Sequence, residues 1–202
     1  MPNVEPQVIQ AFASDKQFAK WLKVNHDKQT EVYLRIYKKD SGVATVSYAQ
    51  ALDVALCWGW IDGVRKAYDE QSFLQRFSPR KARSVWSQIN RGHVARLIAE
   101  RRMTVHGLKQ VEAAKADGRW DAAYAPASTM TIPADLEAAV RDNPRALRTF
   151  ETLNKQNLYA LSFRLGNLKT PAGRARRIVS FVELLARGET LRASGKQTEA
   201  EE

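Results

Sequence analysis

Cysteine is nearly absent from this chain of 202 residues, which contains only Cys57. A single thiol excludes an intramolecular disulfide framework and fits a reducing compartment. The first residues lack a basic segment followed by an apolar one, so no export signal is predicted. No apolar run approaches the roughly 18 residues that cross a bilayer. We therefore expect a cytoplasmic protein without membrane insertion.

The motifs of common cofactor and metal chemistry are missing as well. The sequence has neither the GxGxxG pattern nor the P-loop spacing that holds nucleotide phosphates. His26, His93 and His106 lack HExxH spacing and partner cysteines. Cys57 lies in an apolar stretch, which predicts a buried structural thiol rather than a nucleophile. We therefore expect no cofactor and no metal, and binding is favoured over catalysis.

Acidic residues are scarce in two parts of the chain. The whole sequence has 32 basic and 22 acidic side chains, which gives a net charge of +10. Residues 76–102 contain eight basic residues against one acidic residue, and residues 141–195 contain eleven against four. Such clustered positive charge concentrates anions and predicts an anionic partner. The alternative is that these basic helix faces only aid solubility.

Helical and strand periodicities alternate in the first part of the chain. They predict a helix capped by Ser14, a strand at 31–39, a helix capped by Ser47, a hairpin of strands at 64–68 and 72–77, an amphipathic helix from Ser84, and a helix at 104–117. Four further helices follow from residue 133. The predicted fold class is α+β, a small antiparallel sheet with helices followed by an all-helical C-terminal part.

Unusual residues are densest between Cys57 and Asn90, where CWGWIDG is followed by RFSPRKARSVWSQIN with three of the five tryptophans. MTVHGL, AKADGRWDAAY and TPAGRARRIVSFVELLARG follow. Together these motifs resemble the YdeI/OmpD-associated family, also called bacteriocin-protection proteins, over most of the chain. The resemblance implies a bacterial protein with a stress or protective role, and it implies no particular reaction. It also implies an N-terminal part similar to the YjbR/CyaY-like superfamily.

The domain organisation follows from composition and from this resemblance. The predicted N-terminal α+β domain covers 1–124. A predicted linker at 125–131 contains mostly small side chains and few charged ones. A helical domain of the OmpD-associated type covers 132–195, and a polar tail that frays covers 196–202.

The candidate ligand-binding residues are indoles, cations and hydrogen-bonding side chains near helix starts. They are Trp58, Trp60, Asp62, Arg76, Ser78, Arg80, Ser84, Trp86, Ser87, Asn90, Arg174 and Arg177. Rigid rings can stack on a planar ligand, and helix N-termini attract phosphate or carboxylate. Each candidate also has a structural alternative: the indoles as core, Asp62 as a turn or ion-pair residue, and Asn90 as a locally bonded amide.

Arg174 follows the predicted cap Thr170 within two turns, at the positive end of a helix. Because that position is electrostatically unfavourable, its guanidinium is predicted to meet either a carboxylate of the N-terminal part, such as Asp62, or an external anion.

Three functions are compatible with these patterns. The first is a binding protein whose cleft between the two parts holds a small anionic ligand, with Trp60 and Trp86 as an apolar wall. The alternative is non-specific nucleic-acid binding by the two basic zones. An enzyme that uses Asp62 and nearby arginines is less favoured. The sequence leaves the ligand and the oligomeric state undetermined.

Overall fold

The computed structural model describes residues 4–5, 8–168 and 170–192. The chain divides into two compact units, Met1–Ala123 and Tyr124–Glu202. The first unit contains a four-stranded sheet with helices, and the second contains helices. The predicted α+β class with a helical C-terminal part is therefore confirmed. Whether the units are separate domains joined by a linker at 125–131 stays a prediction, and the tail at 196–202 lies outside the described residues.

The elements of the first unit are β1 (Ile9–Gln10), α1 (Asp15–Asn25), β2 (Val32–Tyr37), α2 (Tyr48–Cys57), β3 (Trp60–Ala67), β4 (Ser72–Pro79), α3 (Gln88–Ala99) and α4 (Val105–Ala116). The predicted caps of α1 and α2 are confirmed. The Ser14 hydroxyl accepts a hydrogen bond from the Gln17 amide, and Ser47 forms a capping box with Gln50. Each cap satisfies amide donors that a helix start leaves unpaired.

The sheet has the order β1, β2, β4, β3. The predicted hairpin is confirmed as the antiparallel pair β3 and β4, and β2 is antiparallel to β4. β1 adds a short parallel strand beside β2, so the sheet is mixed rather than wholly antiparallel. β1 has only two residues, which is too short for a strand periodicity to be recognised in the sequence. A bulge interrupts β3 between Asp62 and Arg65.

The core of the first unit lies where α1 and α2 pack on the sheet. Phe18 and Leu22 of α1 are fully buried, as is Leu34 of β2, and Phe18 contacts Phe77 of β4 with ring centroids 5.7 Å apart. Alternation along β2 directs Val32, Leu34 and Ile36 into this core, as predicted.

The predicted start of α3 at Ser84 is wrong. The helix begins at Gln88, and the Ser87 hydroxyl caps it by accepting a hydrogen bond from the Asn90 amide. The predicted amphipathic pattern holds only in part, because Val85 and Ile89 are 45% and 52% exposed while Val94 and Leu97 are buried. The cause is tertiary: the loop before Gln88 inserts Arg80 and Trp86 into the core, which the helical pattern of that stretch conceals.

The second unit contains α5 (Ala134–Arg141), α6 (Pro144–Glu151), α7 (Lys155–Gly166) and α8 (Pro171–Ala186), in agreement with the four predicted helices. Its core joins Leu136, Val140, Ala146, Leu161, Leu165, Ile178, Phe181 and Leu185. Among the described residues, no helix combines the length and the apolar character needed to cross a membrane.

Candidate functional site

The two tryptophan-containing motifs of the first unit are neighbours in space because they form one hairpin. Trp60 lies opposite Pro79 and Asp62 lies opposite Phe77 in the strand register. The Arg80 amide then donates a hydrogen bond of 3.0 Å to the Gly59 carbonyl. The structure thus brings together the sequence segments that carry most of the predicted site residues.

The indole rings of Trp60 and Trp86 are buried, with 1% and 2% exposure. Trp60 donates its Nε1 hydrogen to the His26 carbonyl at 3.1 Å. Trp86 packs under the Arg80 guanidinium, whose carbon lies 3.5 Å from the ring centroid, and against Trp120. The hypothesis that Trp60 and Trp86 form an open stacking wall is therefore wrong, because both rings complete the core instead.

The arginine candidates have partners inside their own units. Arg76 pairs with Glu31 at 2.6 Å. Arg174 binds both carboxylate oxygens of Asp135, at 2.6 and 2.8 Å, and also the Leu165 carbonyl. This pair lowers the pKa of Asp135 below its usual range. The prediction gave Arg174 either a carboxylate of the N-terminal part, such as Asp62, or an external anion, whereas the observed partner is Asp135 of its own unit.

Asp62 accepts a hydrogen bond of 2.9 Å from the hydroxyl of Tyr48, which is the first residue of α2. Arg177 is exposed on α8, with its guanidinium carbon 5.9 Å from the Phe181 ring centroid. Ser84 accepts a hydrogen bond from the Lys81 amide, and Ser78 is half-buried on β4. Ligand binding by these residues stays a prediction.

Trp58 is half-buried and forms an aromatic cluster with two histidines. Its ring centroid lies 5.0 Å from that of His26 and 5.6 Å from that of His106, and the two imidazole centroids are 4.0 Å apart. The cluster exists because MTVHGL packs on CWGW: the Thr104 hydroxyl donates a 2.6 Å hydrogen bond to the Cys57 carbonyl. Among the described residues, no group of three or more His, Cys, Asp or Glu side chains is arranged to hold a metal ion.

A charged cluster that the sequence patterns do not predict lies between α2 and α3. Asp53 accepts hydrogen bonds from His93 at 2.9 Å and from Arg96 at 2.6 and 2.7 Å, and Arg96 also pairs with Glu100. Burial alone would raise the pKa of Asp53, but the hydrogen bonds from Arg96 and His93 lower it overall. The spacing of His93, Arg96 and Glu100 on one helix face was the available signal, but Asp53 lies on another helix.

The second unit contains a pocket of about 400 Å³. Its lining residues are Ala127, Ser128, Met130, Ile132, Lys155, Leu158, Tyr159 and Ser162. The last four occupy positions i, i+3, i+4 and i+7 of α7 and thus share one helix face. The segment before α5 forms the opposite wall.

Ser162 is the unusual polar residue of this pocket. The residue is buried, with 5% exposure, and its hydroxyl has no hydrogen-bond partner within the described part of the chain. One turn earlier, burial raises the pKa of Tyr159, whose ring stacks on Phe163 at 5.8 Å. The pocket therefore combines an apolar wall with a few polar groups, as small-molecule sites do.

Comparison with known families gives two matches. Residues 10–110, half of the chain, match the family described as Domain of unknown function (DUF8412). Residues 129–188 match the family described as Bacteriocin-protection, YdeI or OmpD-Associated. The chain belongs to the DUF8412 family and carries a YdeI/OmpD-associated domain. Neither the curated proteins nor the solved structures include a match to this chain.

The YdeI/OmpD-associated match confirms the family resemblance for the C-terminal part of the chain. The resemblance of the N-terminal part to the YjbR/CyaY-like superfamily stays a prediction, since the family matched there is DUF8412. All the pocket residues from Met130 to Ser162 belong to the YdeI/OmpD-associated domain, and Ala127 and Ser128 immediately precede it. Ala127, Ser128 and Met130 of the pocket lie within the stretch 125–131 that its composition predicts to be a linker.

Proposed function

We propose that this protein binds a small organic ligand in the pocket of its YdeI/OmpD-associated domain. The observation that carries the proposal is Ser162, which is one of the residues lining a cavity of about 400 Å³ and whose buried hydroxyl lacks a hydrogen-bond partner among the described residues. Cavities of roughly 300–1,000 Å³ with apolar walls and a few polar groups are typical of small-molecule sites.

Energetics support a ligand rather than an accidental gap. A buried hydroxyl without a partner costs roughly 1–3 kcal/mol, and an unfilled cavity forfeits packing energy as well. An alanine at position 162 would remove the first cost without breaking a hydrogen bond among the described residues. A ligand that hydrogen-bonds Ser162 and fills the space beside Met130 and Leu158 would offset both costs.

Binding is favoured over catalysis because the pocket holds no activated nucleophile in the described structure. Among the described residues, no hydrogen bond joins Ser162 to a base. Lys155 lies on the same helix face but two turns away, which is about 10 Å along the axis. A nucleophile needs a base within hydrogen-bond reach, so this geometry supports recognition rather than acyl transfer.

The cellular setting is part of the same proposal. The free thiol of Cys57 supports a reducing compartment, and we place the protein in the cytoplasm. The matched family description names bacteriocin protection. Under the proposal, capture of a small molecule is the means by which the protein would serve such a stress or protective role. The predicted small anionic ligand belongs in this pocket rather than beside the buried Trp60 and Trp86.

The test is a thermal-shift titration of the full chain with octan-1-ol, a neutral probe that fits an apolar cavity. Preferential binding to the folded state raises Tm, and the stabilisation grows with the logarithm of the ligand concentration relative to Kd. Two variants occlude the pocket from opposite walls: Ser162→Leu from α7 and Ala127→Phe from the preceding segment. The control is Ser180→Leu, which makes the same chemical change on the exposed face of α8.

We expect the wild type and Ser180→Leu to bind the probe and the occluded variants to lose binding. Amide chemical shifts of Leu158 to Ser162 should move on titration. Equal binding by wild type and both occluded variants, or shifts confined to the first unit, would refute the proposed function. Two occluding positions are used because one of them alone could impair folding.

A second candidate function is binding of single-stranded nucleic acid by one face of the sheet. Arg35 and Lys66 flank Leu74 in the register, and each cation lies over tyrosine rings: Arg35 over Tyr37 at 4.6 Å, and Lys66 over Tyr33 at 5.4 Å. Such mixed surfaces can bind bases and phosphates together. The charge is partly offset, because Arg35 pairs with Asp69 at 2.6 Å.

Fluorescence anisotropy with a labelled oligothymidylate tests this second function. Binding that weakens steeply between low and moderate salt, and that falls further in a Lys66→Met variant, would support it. Absence of sub-micromolar binding at physiological salt would exclude it as the main activity.

A further inference from the structure

We infer that the ligand of this pocket is an amphipathic organic anion, with an apolar body, a negative group near Lys155 and a polar group near Ser162. The inference rests on the proposed function, because it specifies the chemistry of the same site. The charge, the apolar surface and the length of the pocket support it.

The charge of the pocket is positive at one end. Lys155 is the first residue of α7, a helix of 12 residues, and it is exposed. Among the described residues that line the pocket there is no carboxylate, and in the described structure Lys155 forms no salt bridge. The positive end of the helix dipole adds to this potential. An anion at this end would therefore meet attraction without a competing internal acid.

The apolar surface lies between the two polar ends. Leu158 occupies the α7 face between Lys155 and Ser162, and Met130 and Ile132 line the opposite wall. Burial of a hydrocarbon or an aromatic body against these side chains would contribute a favourable free energy of roughly 25 cal/mol per Å² of apolar surface. A small hydrophilic anion such as inorganic phosphate would not bury this apolar surface and would gain no such free energy from it.

The length of the site follows from helix geometry. Ser162 follows Lys155 by seven positions in α7, so about 10 Å of helix rise separates the two residues. A ligand that contacts both must carry its anionic group and its second polar group at opposite ends. The hydroxyl of Ser162 can donate or accept, so the second group can be an alcohol, a carbonyl or an amide.

The experiment compares three probes of equal chain length by isothermal titration calorimetry on the full chain: octanoate, octan-1-ol and octylammonium. We expect octanoate to bind more tightly than octan-1-ol, and octylammonium to bind most weakly. In Lys155→Met, octanoate affinity should fall about threefold to fivefold, which matches an exposed ion pair of up to about 1 kcal/mol. Octan-1-ol affinity should be unchanged. The control is Lys109→Met, which removes an exposed lysine of α4 and should change neither.

A second comparison examines Ser162 with ω-hydroxyoctanoate against octanoate. The added hydroxyl should improve binding several-fold in the wild type, as expected for one hydrogen bond. The gain should vanish in Ser162→Ala. We expect this variant to be as stable as the wild type or more stable, because it removes a buried hydroxyl that lacks a partner among the described residues.

The outcomes separate this inference from the function on which it rests. Equal affinity for all three probes, blocked in Ser162→Leu and Ala127→Phe, would retain the ligand pocket and overturn the anion inference. Preference for octylammonium, or an unchanged octanoate affinity in Lys155→Met, would also overturn it. Failure of every probe to bind the wild type would overturn the proposed function itself.

Discussion

Gly107 of α4 packs directly on the backbone of Cys57 at the end of α2. A β carbon built on Gly107 would overlap the Cys57 carbonyl oxygen and its carbon. The same carbonyl accepts the hydroxyl hydrogen of Thr104, the N-cap of α4. The start of α4 is therefore fixed against the end of α2, and this contact holds the MTVHGL and CWGW segments together.

Gly107→Ala should reduce the free energy of unfolding by about 1–3 kcal/mol, because the methyl group forces a packed helix away from its neighbour. Urea denaturation followed by tryptophan fluorescence measures the loss. Gly92→Ala in α3 is the matched control, since a β carbon there meets nothing within 4 Å. That substitution should stabilise the protein by up to about 1 kcal/mol. Equal effects of the two substitutions would contradict the close approach.

Asp53→Asn should cost about 1–3 kcal/mol, because Arg96 and His93 lose their charged acceptor. The folded-state pKa of Asp53 lies below its ordinary value, so this carboxylate stabilises the wild type above the unfolded-state pKa. That contribution is lost as the pH falls through the folded-state value. Unfolding measured between neutral and acidic pH should therefore converge for wild type and variant at low pH.

The control for Asp53 is Glu112→Gln, which breaks an exposed pair with Lys115 and should leave stability unchanged within error. A constant difference between wild type and Asp53→Asn at every pH would show that the carboxylate charge has no part in the effect.

The Cys57 thiol should be unreactive in the folded protein. Burial raises its pKa to about 11, so the thiol is protonated and shielded at pH 8. Reaction with a thiol-specific disulfide reagent should be slow in buffer and fast in denaturing urea. Labelling of native protein at the rate of a free thiol would contradict the burial of the α2 end.

Arg174→Met should destabilise the second unit by roughly 0.5–1 kcal/mol, because α8 loses its bidentate contact with Asp135 of α5. The loss should shrink in high salt, since both side chains are partly exposed and screened. Arg141→Met, which breaks a more exposed pair within α5, should have a smaller effect. Thermal unfolding at low and high salt measures both. An equal loss in the two variants would refute a special role for Arg174.

The helices of the second unit could be predicted from sequence because helix starts are encoded locally. Thr170 caps α8 by accepting a hydrogen bond from the Gly173 amide, and Pro171 follows at the first helical position. The same holds for Ser47 and Gln50 at α2. These residues interact within one turn, so their spacing alone specifies them. Ser84 and Ser87 show the limit, since both fit a cap and only the burial of the preceding loop selects Ser87.

The sequence by itself determined the α+β class, the hairpin, most helix bounds and the C-terminal family resemblance, because all of these depend on short-range periodicity and local motifs. Only the tertiary structure decided that Trp60 and Trp86 are buried, that Arg174 meets Asp135, and that one face of α7 lines a pocket with Ser162. The physical reason is that burial and ion pairing depend on residues far apart in the chain. The spacing of residues along the chain does not specify which acidic residue will pair with a given arginine, or which apolar face will pack against a given side chain.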